Sequence, residues 1–392
     1  AQAVNDFLQE DLLMQADSSA QADGHFTPDP NLTVRQALER AAERIGERFK
    51  DQPRQEAAVR NTIGKALLAV GEAERAVAQL QQSVELSKAW LGPNHPNTLA
   101  SMQNLAWAYT DAGKLDQAVP LAEEALKLRK SKLGPDHPDT LTSMHNLAIS
   151  YRDAGRLDQA LPLGEKTLEL RKAKLGPDHR ATLKSMALLA IAYYDAGKRD
   201  QALPLYEETL KLQKAKLGPD HPNTLLSMWN LATAYRDVGK LDQALPLYDE
   251  TLKLQKTRLG PDHPHTLDSM GNLALAYQDA GKRDQALPLL EATLKLRQAN
   301  LGPDHPDTLI SMHSLAVYYH GAGKLNQALP LFEETLKLRK AKLGPHHPDT
   351  LSSVNWLADA LARQHKLAEA EQLFNDALTP ALQRKPASAG LL

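Results

Sequence analysis

Leu133-Gly134-Pro135-Asp136-His137-Pro138-Asp139-Thr140-Leu141 is the stretch that decides the fold of this 392-residue chain. Its leading Leu-Gly-Pro occurs seven times, at Leu91, Leu133, Leu175, Leu217, Leu259, Leu301 and Leu343, always 42 residues apart. Self-similarity at a fixed period of roughly 20–50 residues is the signature of a solenoid or a propeller. Length alone suggests roughly two or three globular domains, but the repeat overrides it. Most of the chain is one quasi-one-dimensional stack, a class that works through an extended surface rather than a catalytic pocket.

Downstream of Pro138, the residues Met144, Leu147, Ala148 and Tyr151 fall on one stripe of a helix. Gly155 stops that helix through its access to positive φ. A second helix is expected from about Asp158 to Lys174, ended by Leu175-Gly176-Pro177. Pro162, with Pro120, Pro204, Pro246, Pro288 and Pro330, is placed in the first turn of that second helix, where a missing N–H costs little. Each unit is therefore a helical hairpin that needs its neighbours to complete a core. The columns agree. Met102, Met144, Met186, Met228, Met270 and Met312 occupy one position, closed by Val354, and read as gap-filling core. Tyr109, Tyr151, Tyr193, Tyr235, Tyr277 and Tyr319 form a second buried column, ending at Leu361.

An imperfect copy precedes the first full one, and the last copy changes to Asn355, Trp356 and Asp359, as capping repeats do. Eight hairpins are expected between Pro53 and Leu378. Thr33-Val34-Arg35-Gln36 reads as a capping box opening a helix to about Lys50. Residues Asp17 to Asn31 read as a linker, and Val4, Phe7, Leu8, Leu12 and Leu13 suit a short amphipathic helix. The expected domains are residues 1–52, an N-terminal helical extension with linker, 53–380, the repeat array, and 381–392, a disordered tail.

The bulk numbers exclude more than they identify. A formal net charge of -2 gives no electrostatic case for nucleic acid. With no cysteine there is no disulfide, no thiolate nucleophile and no Cys-ligated zinc. No run approaches the roughly 18 apolar residues of a membrane span, so no membrane insertion is expected. The chain opens Ala1-Gln2-Ala3 without Met, so an upstream segment is expected to have been removed or left out.

The pattern Leu105-Ala106-x-x-Tyr109-x-x-x-Gly113-x-x-x-x-Ala118, with Ala125 in the second helix, resembles the tetratricopeptide repeat. The 42-residue period, the Leu-Gly-Pro-Asp-His-Pro-Asp-Thr-Leu linker and Asn146-Leu147-Ala148 are similar to the kinesin-light-chain subclass, whose repeats exceed the usual ~34 residues. The resemblance covers about four-fifths of the chain and implies an all-α, right-handed superhelical solenoid. A narrower likeness, in Val4 to Leu13, Leu32-Thr33-Val34-Arg35 and Ala41 to Phe49, is to the segment leading into the repeat array of certain bacterial membrane-anchored Ser/Thr protein kinases. None of the kinase motifs (Gly-rich loop, H-R-D-L-x-x-x-N, D-F-G) occurs here.

Two recurrent constellations invite chemistry. His95, His137, His179, His221, His263, His305 and His347 precede the first helices. Stacked helix pairs stand about 10 Å apart, too far for zinc ligands at about 2.1 Å, so these are read as helix caps and no metal is expected. Ser101, Ser143, Ser185, Ser227, Ser269, Ser311 and Ser353 are a duplicated structural position, not seven nucleophiles. The basic second-helix ends, Lys127, Arg129, Lys130 and Lys132 or Lys337, Arg339, Lys340 and Lys342, read as a solvated face with Glu123-Glu124 or Glu207-Glu208 placed for i,i+4 pairs.

The face of the first helix opposite the Met/Tyr stripe carries the functional expectation. Helical spacing aligns Asn104 and Trp107 in one copy, Asn146, Ile149, Arg152 and Asp153 in the next, and Asn230, Arg236 and Asp237 further on. The resemblance implies that this face lines a concave peptide groove, adding Tyr194, Trp229, Asn272 and Leu275. An Asn amide offers a donor and an acceptor to a peptide unit, the apolar residues form a floor, and Arg152 and Arg236 suit a carboxylate. Against this stands a plainer reading, in which Arg–Asp pairs satisfy one another. Leu188, Ser314 and Gly321 interrupt the rows.

The sequence thus points to a non-enzymatic scaffold with a protein or peptide ligand and no cofactor. The alternative is the sensory or substrate-recruiting region of a larger Ser/Thr kinase. A cytoplasmic location is expected, or an extracytoplasmic one if the chain is the distal part of such a kinase.

Overall fold

The linker motif works as a stop, a reversal and a start. In the computed structural model Gly134 has φ 90° and ψ 163°, a region essentially restricted to glycine, and its N–H closes the last turn of the preceding helix on the Lys130 carbonyl. His137 then sits extended as the N-cap residue, its Nδ1 accepting the Asp139 N–H at 3.2 Å, with Pro138 in the first helical position. All seven histidines of the series cap in this way, at 3.1–3.2 Å. The acceptor role assigns the proton to Nε2. Thr98, Thr182, Thr266 and Thr350 complete the motif by donating to the carbonyl of the linker glycine at 2.8 Å. No group of three metal-ligating side chains occurs among the described residues.

The structure describes Phe7, Asp29 and residues 31–383, with only the backbone of residues 377–383. The array is introduced by α1 (Val34–Arg48), opened by the expected capping box of Thr33 and Gln36. Eight hairpins follow: α2/α3 (Pro53–Ala69, Ala73–Leu91), α4/α5 (Pro96–Asp111, Leu115–Leu133), α6/α7 (Pro138–Asp153, Leu157–Leu175), α8/α9 (Arg180–Asp195, Arg199–Leu217), α10/α11 (Pro222–Asp237, Leu241–Leu259), α12/α13 (Pro264–Asp279, Arg283–Leu301), α14/α15 (Pro306–Gly321, Leu325–Leu343) and α16/α17 (Pro348–Arg363, Leu367–Gln383). No strand occurs among the described residues, and no described helix is long and apolar enough to cross a membrane.

The recurrent proline is not in the first turn. Because α7 begins at Leu157, Pro162 is its sixth residue, inside the helix, and the Asp158 carbonyl loses its i+4 donor there. The same holds for Pro120, Pro204, Pro246, Pro288 and Pro330.

Two units make up the chain, Ala1–Thr209 and Leu210–Leu392. In each, a second helix packs on the first helix of the following hairpin: α3 on α4, α5 on α6 and α7 on α8 in the first unit, α11 on α12, α13 on α14 and α15 on α16 in the second. The Met column is buried throughout, with Val354. So is the Tyr column, except Tyr277, which is only partly covered. The tyrosine hydroxyls reach the rim: Tyr151 donates to Glu123 at 2.6 Å and Tyr193 to Glu165 at 2.7 Å. Burial, then these carboxylates, pushes both phenols up to about 12. At the N-terminal end Phe7 is buried against Phe49, with Leu38, Ala41 and Ile45 around it. Val4, Leu8, Leu12 and Leu13, nearly all of the 17–31 linker, residues 384–392 of the tail and, in the kinase-like lead-in, the stretch Val4 to Leu13 apart from Phe7 lie outside the described residues, while residues 381–383 continue α17.

The basic second-helix ends divide in two. Arg129 and Arg339 are buried, as are Arg171 and Arg297 at the same repeat position. Each reaches across to the next first helix: Arg171 donates to Ser185 Oγ at 2.8 Å and to the Ala181 and Leu141 carbonyls at 2.9 and 3.2 Å. Desolvation pushes the Arg171 guanidinium down to about 10. Ser143, Ser185, Ser311 and Ser353 are thus the acceptor side of a buried rung. The lysines do lie at the surface, but they pair between copies instead of at i,i+4: Lys88 with Glu124 at 3.2 Å, Lys172 with Glu208 at 3.4 Å, and Lys214 with Glu250 at 2.8 Å. A second set joins successive linkers, Lys174 with Asp136 at 2.6 Å and Lys342 with Asp304 at 2.8 Å. Exposed pairs of this kind contribute about 0–1 kcal/mol each, so the buried rung outweighs them.

Arg171→Met removes three charge-assisted hydrogen bonds from the seam between α6/α7 and α8, and should cost about 1–3 kcal/mol. Arg171→Gln, the residue type present at Gln213 and Gln255, should cost less. Urea denaturation of both variants measures the difference.

Candidate binding face

Each first helix places its Met side between the hairpins and leaves the opposite side half-covered. In the first unit Asn104, Asn146, Ile149 and Ile191 are partly buried and Trp107 is 39% exposed. In the second unit Asn230, Asn272, Leu275 and Val317 are partly buried. Leu188, which breaks the Asn row, is buried instead.

The polar groups on this face are engaged to different degrees. Asn104 Nδ2 donates to Asn61 Oδ1 at 2.9 Å, and Asn272 Nδ2 to the Asp268 carbonyl of its own helix at 2.9 Å. The Asn146 and Asn230 side chains have no hydrogen-bond partner among the described residues. The arginines read as carboxylate receivers are held by neighbouring acids. Arg152 donates to Asp153 at 2.6 Å and faces Asp195 at 3.8 Å, while Arg236 pairs with Asp279 at 2.5 Å. Asp237, one residue on, is also engaged. Tyr194 is covered by the Arg199 guanidinium, 3.9 Å from its ring centroid, and meets Tyr206 edge-on. Mutual Arg–Asp satisfaction therefore describes the charged part of the face.

Trp229, Asn272 and Leu275 come together around a cavity of about 700 Å³ in the second unit. The residue before each Asn-row position controls it. Gln103, one residue before Asn104, fills the seam to the next first helix, accepting from Ser143 Oγ at 2.9 Å and from Arg129 at 3.3 Å. His145 takes that place in the next copy, 3.4 Å from Ser185 Oγ. In the second unit the column reads Trp229, Gly271, His313 and Asn355. Gly271 leaves the seam open: nothing stands within 4 Å of where its Cβ would be. The cavity wall includes Ser311 and Arg297, the groups that a side chain at 271 would otherwise meet.

The sequence model of the tetratricopeptide repeat matches seven overlapping segments, 55–131, 111–173, 139–215, 197–257, 224–298, 271–341 and 321–379. The chain belongs to the tetratricopeptide repeat family. Its architecture is an all-α helical repeat solenoid, and its long repeats are of the kinesin-light-chain-like kind. Similar solved structures include a single-substitution form of nearly identical TPR-like repeats assigned to a kinesin light chain of Podosopora anserina. They share 31% identity over 53% of this chain and 98% of that one, with a TM-score of 0.50. BtubC (BKLC) from P. vanneervenii is 22% identical, over 60% of this chain and 94% of that one, with a TM-score of 0.51. The apo form of the quorum sensor NprR from B. thuringiensis is 15% identical, over 96% of this chain and 98% of that one, with a TM-score of 0.62. The last two are likenesses of fold alone. No curated protein matches the chain.

The seam histidines of this tetratricopeptide array are held neutral. Burial, then Arg171, Lys184 and Arg152, pushes His145 down to about 3. Burial and Arg339 push His313 down to about 4, against Asp349. An unfolded histidine titrates near about 6.5, so as pH falls the unfolded chain takes up these protons first. The stability they contribute is complete above that value and is lost as the pH drops toward the folded values, by at most about 1.4 kcal/mol per pH unit and site. His313→Gln should therefore flatten the acid side of the urea-midpoint profile measured between about pH 7 and pH 4.5.

Proposed function

We propose that this chain is a non-enzymatic scaffold for protein–protein interaction, holding an extended peptide of a partner along the first-helix face. The observation that supports this reading is Asn146 in the first unit and, independently, Asn230 in the second, each half-buried at the same repeat position with its amide uncommitted among the described residues. Each amide presents one donor and one acceptor, the complement of a peptide unit, and so grips a backbone whatever side chains the ligand carries. Apolar neighbours supply the burial: Ile149 one turn from Asn146, and Trp229 directly before Asn230. Covering such surface is worth roughly 25 cal/mol per Å². The arginines add little attraction, because Arg152 and Arg236 would have to leave Asp153 and Asp279 to meet a ligand carboxylate. Binding on this reading is dominated by amides and apolar area, and depends weakly on salt.

Asn146→Ala combined with Asn230→Ala should lower capture of the partner from a lysate about tenfold, from two lost hydrogen bonds of about 0.5–1.5 kcal/mol each. The melting temperature should stay unchanged, since neither amide is bonded among the described residues. Undiminished capture by the double variant would sink the reading.

A further inference from the structure

We propose that the groove between α5 and α7 docks an acidic peptide segment of a partner protein, one with a leucine-sized side chain set between carboxylates.

The groove encloses about 680 Å³ and opens onto the Met side of α6, away from the half-covered side of the first helices. The ion-pair ladder between second helices breaks at this place. Where the ladder forms, a lysine meets a glutamate 36 residues on: Lys88 with Glu124 at 3.2 Å, and Lys172 with Glu208 at 3.4 Å. At the same interval from Lys130 stands Lys166. Other copies hold Glu124, Glu208, Glu250 and Glu334 at the position of Lys166, and Ala292 in one case. Glu169, in turn, stands where Lys127, Lys211, Lys253, Lys295 and Lys337 stand. Two charges are exchanged within α7.

The exchange brings the fold no gain. Lys166 Nζ still donates to Glu169 on its own helix, at 3.0 and 2.9 Å. A helix favours the acid on the N-terminal side of such a pair, and here the order is reversed. Lys130 also goes without its glutamate. The ammonium groups of Lys127 and Lys130 have no ion pair or hydrogen bond among the described residues. The groove is therefore lined by three exposed lysines, Lys127, Lys130 and Lys166, against one acid, Glu123, which accepts from the Tyr151 hydroxyl at 2.6 Å. At the same positions one copy later the balance is opposite, with Glu165, Glu169 and Glu208 against Lys172.

These groups set the ligand class. Two ammoniums at a place built for one ion pair repel each other until a carboxylate stands between them. A ligand acid there takes the role of the missing glutamate through charge-assisted hydrogen bonds. Between the lysines, exposed Pro162 and half-buried Leu163 form an apolar strip that suits an aliphatic side chain beside that acid. Inorganic phosphate makes no use of the strip, and a flat anionic bilayer does not enter a recess between two helices.

This surface lies apart from the first-helix face, so either reading can fail while the other stands. The probe is the capped peptide Ser-Glu-Glu-Leu-Glu-Glu-Leu-Ser, with its Glu-to-Gln analogue as the uncharged control, titrated by calorimetry into the purified 392-residue chain. Saturable binding is expected, at least tenfold tighter than the control and weakening several-fold between about 0.05 and 0.3 M NaCl. Lys166→Glu combined with Glu169→Lys keeps composition, net charge and the pair within α7, and gives Lys130 its acid. It should keep or raise the melting temperature while weakening the peptide at least tenfold. Lys130→Gln, which leaves α7 untouched, should weaken it about 3- to 10-fold. The double variant Asn146→Ala, Asn230→Ala should bind the peptide as the unaltered chain does. Absence of saturable binding, equal binding of the control, undiminished binding by the exchanged variant or by Lys130→Gln, or loss of binding in the asparagine variant would each overturn the proposal.

Discussion

The frame of this array depends on one backbone constraint, the glycine at φ near +90° that ends every second helix from α3 to α15. At Gly134 the chain leaves the helix in a conformation that a side chain would make costly. Pro135 and the His137 cap then restart it within a few residues. Because the stop recurs at a fixed spacing, first helices are 16 residues long and second helices 19 in the six hairpins from α4/α5 to α14/α15. That fixed register is why Met, Tyr, Ser and Arg form columns at all. A length change in one helix would rotate its apolar stripe by about 100° per residue, and the columns would no longer face one another.

The columns also explain what was legible in the sequence. Residues that repeat unchanged and bury a chemically plain surface, such as Met144 or Leu147, declare their role through periodicity alone. The histidine caps were legible for a related reason: His137 stands directly before Pro138, where only a helix start suits both. The buried arginine rung was hidden because Arg129 is embedded among Lys127, Lys130 and Lys132. Composition marks that run as a solvated face, and only the neighbouring copy, which places Ser143 opposite Arg129, distinguishes one cation from the others. The same limit applies to the ion pairs. Glu124 lies a turn upstream of lysines on its own helix, yet it meets Lys88 of the previous copy, because stacking brings equivalent turns of successive second helices side by side.

On the candidate face, the sequence named the side of the first helices that the structure leaves half-covered, and it left the charges ambiguous. Arg152 can be read as a receiver or as one half of a pair, and only coordinates decide, since its partners Asp153 and Asp195 lie in different copies. For the peptide face proposed above, this pairing shifts the expected chemistry from charge toward amides and apolar surface. It also suits a repeat array, in which like charges at the same position of successive copies would repel along the stack unless each were neutralised locally.

The cavity shows how a repeat acquires individuality without loss of its frame. Removing the side chain at position 271 takes away the filler of a seam, and with it a hydrogen-bond partner for the guanidinium behind. In the first unit Gln103 accepts from Arg129. Opposite Gly271 the same service to Arg297 comes from Asp268, an acid at a position that holds Ala100, Thr142, Lys184, Leu226, Ile310 and Ser352 in the other full copies. The acid stands at the side of the seam and leaves its centre empty. Without Asp268 the guanidinium would keep Ser311 and the Asp307 carbonyl, as Arg339 keeps Ser353 and the Asp349 carbonyl, and would lose its one ionised acceptor. Here the two departures from the repeat compensate each other electrostatically while preserving the void, so they are best understood as one feature, a seam kept stable in the open state.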